Sequence, residues 1–445
     1  MPVVGSKKVA VKKTQEGLTG SLARGRVQEV VWKGPEVDGV TQSMLQKFLV
    51  CRERFRVQTL LGLKAVEGFM HRLEYGNMWH VCEEWHAKIG DGREYGVVRE
   101  PRPVVRDQPQ TYDETLQEIG PGEMAQTVPQ ERLWEEALRI LCARLCDKYP
   151  MQQEQVIHWM RVCKLQFPIY VRHWAEHPDV VNRVPLFQEQ VFSIPFHLPS
   201  GRVVRLKGKF DEVNLGVERK EQVIWLKENK AKGEIDQQAL TRQLEFDLQT
   251  GTYLSALMAD QADPGGYLAS HEQSGSPKFK RTARVAGVLY NVIRRPLSGG
   301  KGTISQWKPT KSRPEGETSE QFYERLAGVI GSASGDEWGV PDDQNFFFMR
   351  WNVGVTREDV ERFQHRCLIP LLEDLCHWYD WVREAHERRR SPFEPVKGLR
   401  CPHWQHPFGV YNSLNENGSS EYDEFLKTGS TVGLRKVDDL FPELK

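Results

Sequence analysis

With 39% hydrophobic and 27% charged side chains over 445 residues, the chain has the ordinary balance of a globular protein with a packed core, not the composition of a disordered one. Lys plus Arg and Asp plus Glu are equal at 61 each, so no global field favours polyanions and any nucleic-acid surface must come from uneven charge placement. The opening Met-Pro-Val-Val-Gly-Ser-Lys-Lys lacks the apolar core of a secretory signal, and no segment approaches the ~18 apolar residues of a membrane span. The eight cysteines are scattered without the regular spacing of a disulfide framework, so reduced thiols, a cytoplasmic location and no membrane partner are expected.

Residues 1–40 mix Lys, Gly, Thr and Val without clear periodicity and read as a leader. A helix is predicted over Thr41–Leu63, capped by Thr41 or Ser43, with Leu45, Phe48, Leu49, Phe55 and Leu60 at helical spacing; a second carries Gly76–Ile89. Residues 91–129, rich in Pro, Gly, Gln and charge, read as a long exposed connection. Arg132–Tyr149 and Gln152–Glu176 each show an apolar stripe, giving a helical insertion over about 130–178. The period then changes to two: segments beginning at Glu189, Val203 and Val223 are short, β-branched or aromatic, and separated by turn residues, which predicts a β-meander. Ile235–Asp260 reads as helix, and Val285–Arg294 as a strand apolar enough to lie inside a sheet. A Gly- and Pro-rich loop over 296–318 precedes helices at Ser319–Ile330 and Thr356–Arg388 and an irregular tail over 391–445. The fold expected for residues 41–390 is α/β: a central mixed sheet flanked by helices, with the helical insertion between His80 and Asp211.

Two strand ends carry the chemistry. Asp211 ends Gly208-Lys-Phe-Asp, and Glu228-Asn-Lys230 ends the next strand. Strand side chains alternate, so Glu228 and Lys230 point to one face, and a hairpin-like pairing brings Asp211 alongside. Two converging carboxylates repel unless a divalent cation joins them, and hard oxygen ligands suit Mg²⁺ or Mn²⁺. Such an ion can activate water and relieve the charge that develops on a phosphate, and Lys230 can orient that water. Charge is also uneven elsewhere: Gln273–Pro314 contains ten basic residues and no acid. Of these, Lys278, Lys280, Arg281, Lys301, Lys308 and Lys311 are candidate DNA contacts, the alternative being a solvated loop neutralised by acids elsewhere in the fold.

The order of these segments resembles the PD-(D/E)XK superfamily, with its restriction-endonuclease-like core, and specifically RecB-like nucleases of the phage and CRISPR-adaptation type. Ser43-Met-Leu-Gln-Lys-Phe-Leu-Val-Cys-Arg-Glu-Arg-Phe is similar to the family's opening Ser…Leu…Cys-Pro-Arg-Lys-Phe helix, with Arg52 in place of proline. Tyr75-Gly-Asn-Met-Trp-His80 resembles its Gly-x-x-x-His, Gly208-Lys-Phe-Asp211 its Gly-x-x-Asp, Glu228-Asn-Lys230 its Glu-x-Lys, and Gln249-Thr-Gly-Thr-Tyr253 its Gln-x-x-x-Tyr. The resemblance implies His80, Asp211 and Glu228 as metal ligands, Asp211, Glu228 and Lys230 as the catalytic set, and Gln249 and Tyr253 as residues that position the DNA strand. Glu189, which begins a strand before Asp211, reads as a solvated strand end and is left outside this set, the alternative being an additional acidic residue of the site.

In many relatives one cysteine of the opening helix and three near the C-terminus hold a [4Fe–4S] cluster. Here Cys51 stands in the first position but only Cys401 follows in the C-terminal region, so a cluster is not expected; Cys51, Cys401, His403 and His406 offer an unusually spaced zinc donor set instead. The implied activity is hydrolysis of DNA, with exonuclease action on ends or single strands in recombination, repair or phage DNA metabolism, in a bacterial or phage-infected cell. A recombinase, annealing protein or helicase is the implied partner, since no nucleotide-binding Gly-x-x-x-x-Gly-Lys-Ser/Thr is present. A catalytically idle DNA-end-binding module and a structure-specific endonuclease are the alternatives.

Overall fold

A computed structural model describes residues 30–296, 318–333, 347–387 and 434–444, apart from short gaps at 66–67, 103–109, 121–124, 176, 178–179, 181, 246, 276–277, 438 and 442–443. Three long strands, β6 (Val184–His197), β7 (Val203–Glu218) and β8 (Glu221–Lys232), form an antiparallel meander, as the change to a two-residue period predicts. The meander continues into β9 (Arg284–Arg294), parallel to β8, and then β10 (Phe348–Gly354), antiparallel to β9. A two-residue strand, β1 (Val40–Thr41), lies parallel to β7. The central sheet is therefore mixed, as expected. Its β8–β9 step is parallel because three helices, Gln237–Glu245, Leu248–Ala262 and Tyr267–Ser274, intervene to carry the chain back across one face.

Helices cover both faces. On one lie α1 (Gln42–Val50) and the pair α5 (Gln237–Glu245) and α6 (Leu248–Ala262), the apolar side of α6 burying Leu254 and Leu257 against Ile224, Leu226, Val288 and Val292. Asp247 caps α6 by accepting the Gln249 N–H, which splits the single predicted 235–260 helix in two. On the other face sits α2 (His71–Ala87), with the predicted insertion helices α3 (Leu133–Lys148) and α4 (Gln153–Trp174) and, against α4, α7 (Ser319–Ala333). A third cluster joins α1 to the C-terminal helix α8 (Ile369–Glu387) around Trp32, Phe48, Phe55 and Trp378.

Three expectations need correction. The presumed connection over 91–129 contains a small antiparallel sheet of β3 (Tyr95–Pro101), β4 (Tyr112–Glu118) and β5 (Gln126–Thr127). Its strands are mostly exposed and polar and cross-linked by pairs such as Arg99–Glu114, so they lack the apolar alternation that identifies a strand. The leader ends before residue 40: Trp32 is fully buried and donates from its indole to the Gly39 carbonyl. The tail returns to the domain, with β11 (Leu434–Lys436) pairing β2 (Leu63–Ala65) and the Lys207 ammonium over the Phe441 ring.

Register in the sheet's centre depends on one glycine. Gly287 in β9 has φ +144, and a Cβ there would stand 2.0 Å from the Val353 carbonyl oxygen of β10. Gly287→Ala is expected to cost about 2–4 kcal/mol through backbone strain and displacement of β10, read as an earlier midpoint in chemical denaturation. An unchanged midpoint would contradict this strand pairing.

Candidate metal centre at the strand fork

The site begins where two strands part. Along one edge β7 keeps β6 from Val203 to Leu215; along the other it has β1 at Leu206 and Lys207 and β8 only from Glu212 onward. On this second edge Gly208–Asp211 therefore face neither β1 nor β8. The backbone N–H of Asn229 donates to Asp211 Oδ2 at 2.8 Å, so the carboxylate takes the place of the missing ladder bond. Gly208 is required by packing: a Cβ there would stand 2.3 Å from the ring of Phe192.

Past the fork, β8 runs on beside β9, with Glu228 opposite Tyr290 and Lys230 opposite Val292. Alternation turns Glu228 and Lys230 toward α6, where Lys230 Nζ donates to Glu228 Oε2 at 2.9 Å and to Gln249 Oε1 at 2.8 Å. Gln249 Nε2 completes the triangle by donating to Glu228 Oε2 at 3.1 Å. Glu228 is 0% exposed, and its other oxygen, Oε1, has no hydrogen-bond partner. Burial pushes this carboxyl up to about 7, against the pull of the Lys230 ammonium and reinforced by the negative charge of Asp211. An anionic oxygen buried without a partner is costly, which makes Oε1 a point that calls for a cation or a donor.

From the opposite face α2 brings in His80, whose Nδ1 lies 3.4 Å from Glu189 Oε1 and 4.0 Å from Asp211 Oδ1. Glu189 lies within β6, not at a solvated end. It adopts φ +45 between Gln188, which lies opposite Glu212, and Gln190, which lies opposite Phe210, and its side chain is 8% exposed and held by Lys209 Nζ at 2.6 Å. A non-glycine residue in the left-handed region is uncommon and is held here by the pairing on either side. Donor atoms of His80, Glu189 and Asp211 lie within 4.8 Å of one another. Burial disfavours a charged imidazole, yet Asp211, Glu189 and Glu83 outweigh it and raise His80 to about 9. The same negative field also favours a divalent cation, which would take the proton's place on the imidazole, and one imidazole with two carboxylates is a donor set that can hold such an ion.

Of the residues read from the sequence, His80, Asp211, Glu228, Lys230 and Gln249 come together at the fork. The ligand grouping differs in one member: Glu189 stands beside His80 and Asp211, while Glu228 is held by Lys230 and Gln249. Sequence reasoning set Glu189 aside because it took the residue for the start of a strand; the strand begins at Val184, and the register on either side, Gln188 opposite Glu212 and Gln190 opposite Phe210, sets Glu189 against Asp211. Tyr253 packs edge-on against Phe192 and Phe210, so it shapes the floor under Gly208 where Gln249 meets the polar groups. Lys278, Lys280 and Arg281 lie near the start of β8, tied to it through Gln222 and Lys278, about 26 Å along the strand from Lys230 at ~3.3 Å per residue. Arg281 there donates to the Gln261 and Asp263 carbonyls and so closes a turn. Cys51 is buried and accepts the Arg54 N–H; Lys301, Lys308, Lys311, Cys401, His403 and His406 lie outside the described residues.

A mixed sheet that opens between an aspartate strand and a Glu-x-Lys strand, with helices on both faces, is the framework of a phosphodiester-cleaving enzyme. A model of the PD-(D/E)XK nuclease superfamily matches residues 40–338, about two thirds of the chain, and the chain belongs to that superfamily. Comparison with curated proteins found no match. Among the described residues no helix is long and apolar enough to cross a membrane.

Glu189→Gln is expected to weaken Mn²⁺ binding, measured by calorimetry on the DNA-free protein, as severely as Asp211→Asn, by at least the ~10- to 100-fold that loss of a supporting group costs. Unchanged affinity would remove Glu189 from the centre.

Proposed function

We propose that this protein is a divalent-metal-dependent deoxyribonuclease of RecB-like type that hydrolyses DNA from its ends. The reading is carried by one observation: Asp211, which stands with His80 and Glu189, also accepts the N–H of Asn229, the residue between Glu228 and Lys230, so the metal-ligating donors and the buried Glu228–Lys230–Gln249 triangle meet at one fork. Mg²⁺ or Mn²⁺ would be held by His80, Glu189 and Asp211, and would supply charge neutralisation at the scissile phosphate and acidification of a water.

The chain's own groups define the rest. Lys230, fixed by two acceptors, presents its remaining N–H toward an attacking water or a phosphate oxygen and holds it by a charge-assisted bond. Water adds to phosphorus, the bond to the bridging oxygen breaks, and a proton passes to the departing oxygen. Gln249 fixes Glu228 and Lys230 relative to each other, which keeps the reacting groups in line. A Cβ on Gly76, one helical turn before His80, would meet nothing within 4 Å, which leaves room beside the site for a nucleic-acid strand. Action on ends follows the resemblance of the motif series to RecB-like nucleases, as does a role in recombination, repair or phage DNA metabolism beside a recombinase, annealing protein or helicase.

Digestion of end-labelled linear DNA and of covalently closed circles, single- and double-stranded, tests this. Wild type with Mg²⁺ or Mn²⁺ is expected to shorten linear DNA and spare circles, EDTA to abolish cleavage, and Asp211→Ala and Lys230→Met to lower the rate by roughly 10²–10⁴-fold. Cleavage of circles would favour an endonuclease, and equal residual activity in wild type and Asp211→Ala would favour an idle DNA-binding module.

A further inference from the structure

A second polar constellation lies on the reverse side of the same four elements. Gln188 precedes Glu189 in β6, Glu212 follows Asp211 in β7, Asn229 stands between Glu228 and Lys230 in β8, and Glu83 lies one turn after His80 in α2. Strand alternation turns Gln188, Glu212 and Asn229 away from the cation-facing residues next to them, while Glu83 shares a helix face with His80 and meets the same groups from there. Away from the site they meet one another.

The network is continuous. Gln188 Nε2 donates to Glu212 Oε2 at 2.9 Å, and Lys227 Nζ donates to the same oxygen at 2.7 Å and lies 3.7 Å from Glu83 Oε1. The Tyr170 hydroxyl of α4 donates to Glu83 Oε1 at 2.6 Å. Asn291 of β9 donates to Asn229 Oδ1 at 2.7 Å and lies 2.8 Å from the Tyr170 oxygen. Arg350 of β10 closes it, with Nε donating to Asn291 Oδ1 at 3.0 Å and Nη2 to the Tyr170 hydroxyl at 2.8 Å. Two carboxylates, Glu83 and Glu212, face two cations, Lys227 and Arg350. Burial would hold the Glu212 carboxyl up, but Lys227 brings it below its ordinary value.

Polar groups this deep are expensive unless every member is satisfied, and an apolar core would hold two layers together at less cost. Packing therefore does not account for the network. Its placement does: each strand or helix that carries a metal-site group is gripped by the adjacent or next-turn residue, and the Asn229 whose side chain is held here is the residue whose N–H holds Asp211.

We propose that this reverse-face network sets the spacing of the metal centre, with Tyr170, Asn291 and Arg350 acting as positioning residues that tune cation affinity without touching cation or DNA. The inference rests on the metal-centre reading above. Tyr170 is the sharpest probe, because its hydroxyl bridges Glu83, Asn291 and Arg350 and its removal leaves the ring in place.

Mn²⁺ affinity of the full-length, DNA-free protein is measured by calorimetry for wild type, Tyr170→Phe, Asn291→Ala and Arg350→Lys, with unfolding midpoints in parallel. Leu326→Ala, in the buried layer between α7 and α4, serves as a variant that lowers stability away from the network. Tyr170→Phe and Asn291→Ala are expected to weaken Mn²⁺ binding about tenfold or more, the effect of losing groups that orient metal ligands. Arg350→Lys, which keeps the charge, is expected to be milder, and Leu326→Ala to leave affinity unchanged. Cleavage should be regained at saturating Mn²⁺ with an unchanged KM for DNA. Wild-type affinity in both Tyr170→Phe and Asn291→Ala, or a loss in every variant that tracks the unfolding midpoint, overturns the positioning role alone. Failure of the wild type to bind Mn²⁺ overturns the metal centre and this inference together.

Discussion

Everything at the site depends on strand β7 being shared. One edge holds β6 throughout, and the other passes from β1 to β8 with four residues left unpaired between them. Unpaired backbone inside a sheet is unfavourable unless something takes up its hydrogen bonds. Here the Asp211 carboxylate accepts the Asn229 N–H, so the defect that opens the fork also fixes the side chain that stands in it. Closing the fork by continuing the β7–β8 ladder would pair Asp211 with Glu228 and leave two buried carboxylates side by side.

The electrostatics follow from that geometry. Around the fork, Glu228 is buried with one oxygen satisfied by Lys230 and Gln249 and the other by nothing, while Glu189 and Asp211 draw a proton onto His80. Lys209 and Lys230 offset part of the negative charge but each is committed to one carboxylate. Such a site is unfavourable for stability and suited to binding a small, hard, doubly charged ion. On the reverse face Glu83 and Glu212 are matched in number by Lys227 and Arg350, although Glu83 Oε2, like Glu228 Oε1, has no hydrogen-bond partner.

Much of this was legible in the sequence. The two-residue period of β7 and β8 placed Glu228 and Lys230 on one face, and the series from Gly76 to Tyr253 brought His80 and Gln249 into the same reading. The insertion helices lie within the spans that their apolar stripes predicted, although Ile157, read as part of the second stripe, is exposed. Elements held by polar or exposed contacts were not legible: β3–β5 lie on the surface, β1 is two residues long, and the Trp32 segment depends on a partner helix more than 300 residues away. Glu189 escaped because the strand that carries it begins five residues earlier than its sequence pattern suggests, at Val184. Asn229 and Asn291 did leave a signal, as amides in otherwise apolar or charged strand interiors; their meaning needed the parallel pairing of β8 with β9 that sets them side by side.

The central claim is that one divalent cation belongs between His80, Glu189 and Asp211. Crystals grown with Mn²⁺ and measured for anomalous scattering test it directly. The account predicts a single strong peak within coordination distance, about 2.0–2.3 Å, of donor atoms from all three residues. A peak absent from the fork at saturating Mn²⁺, or one that sits elsewhere with His80 and Glu189 turned away from it, would contradict it.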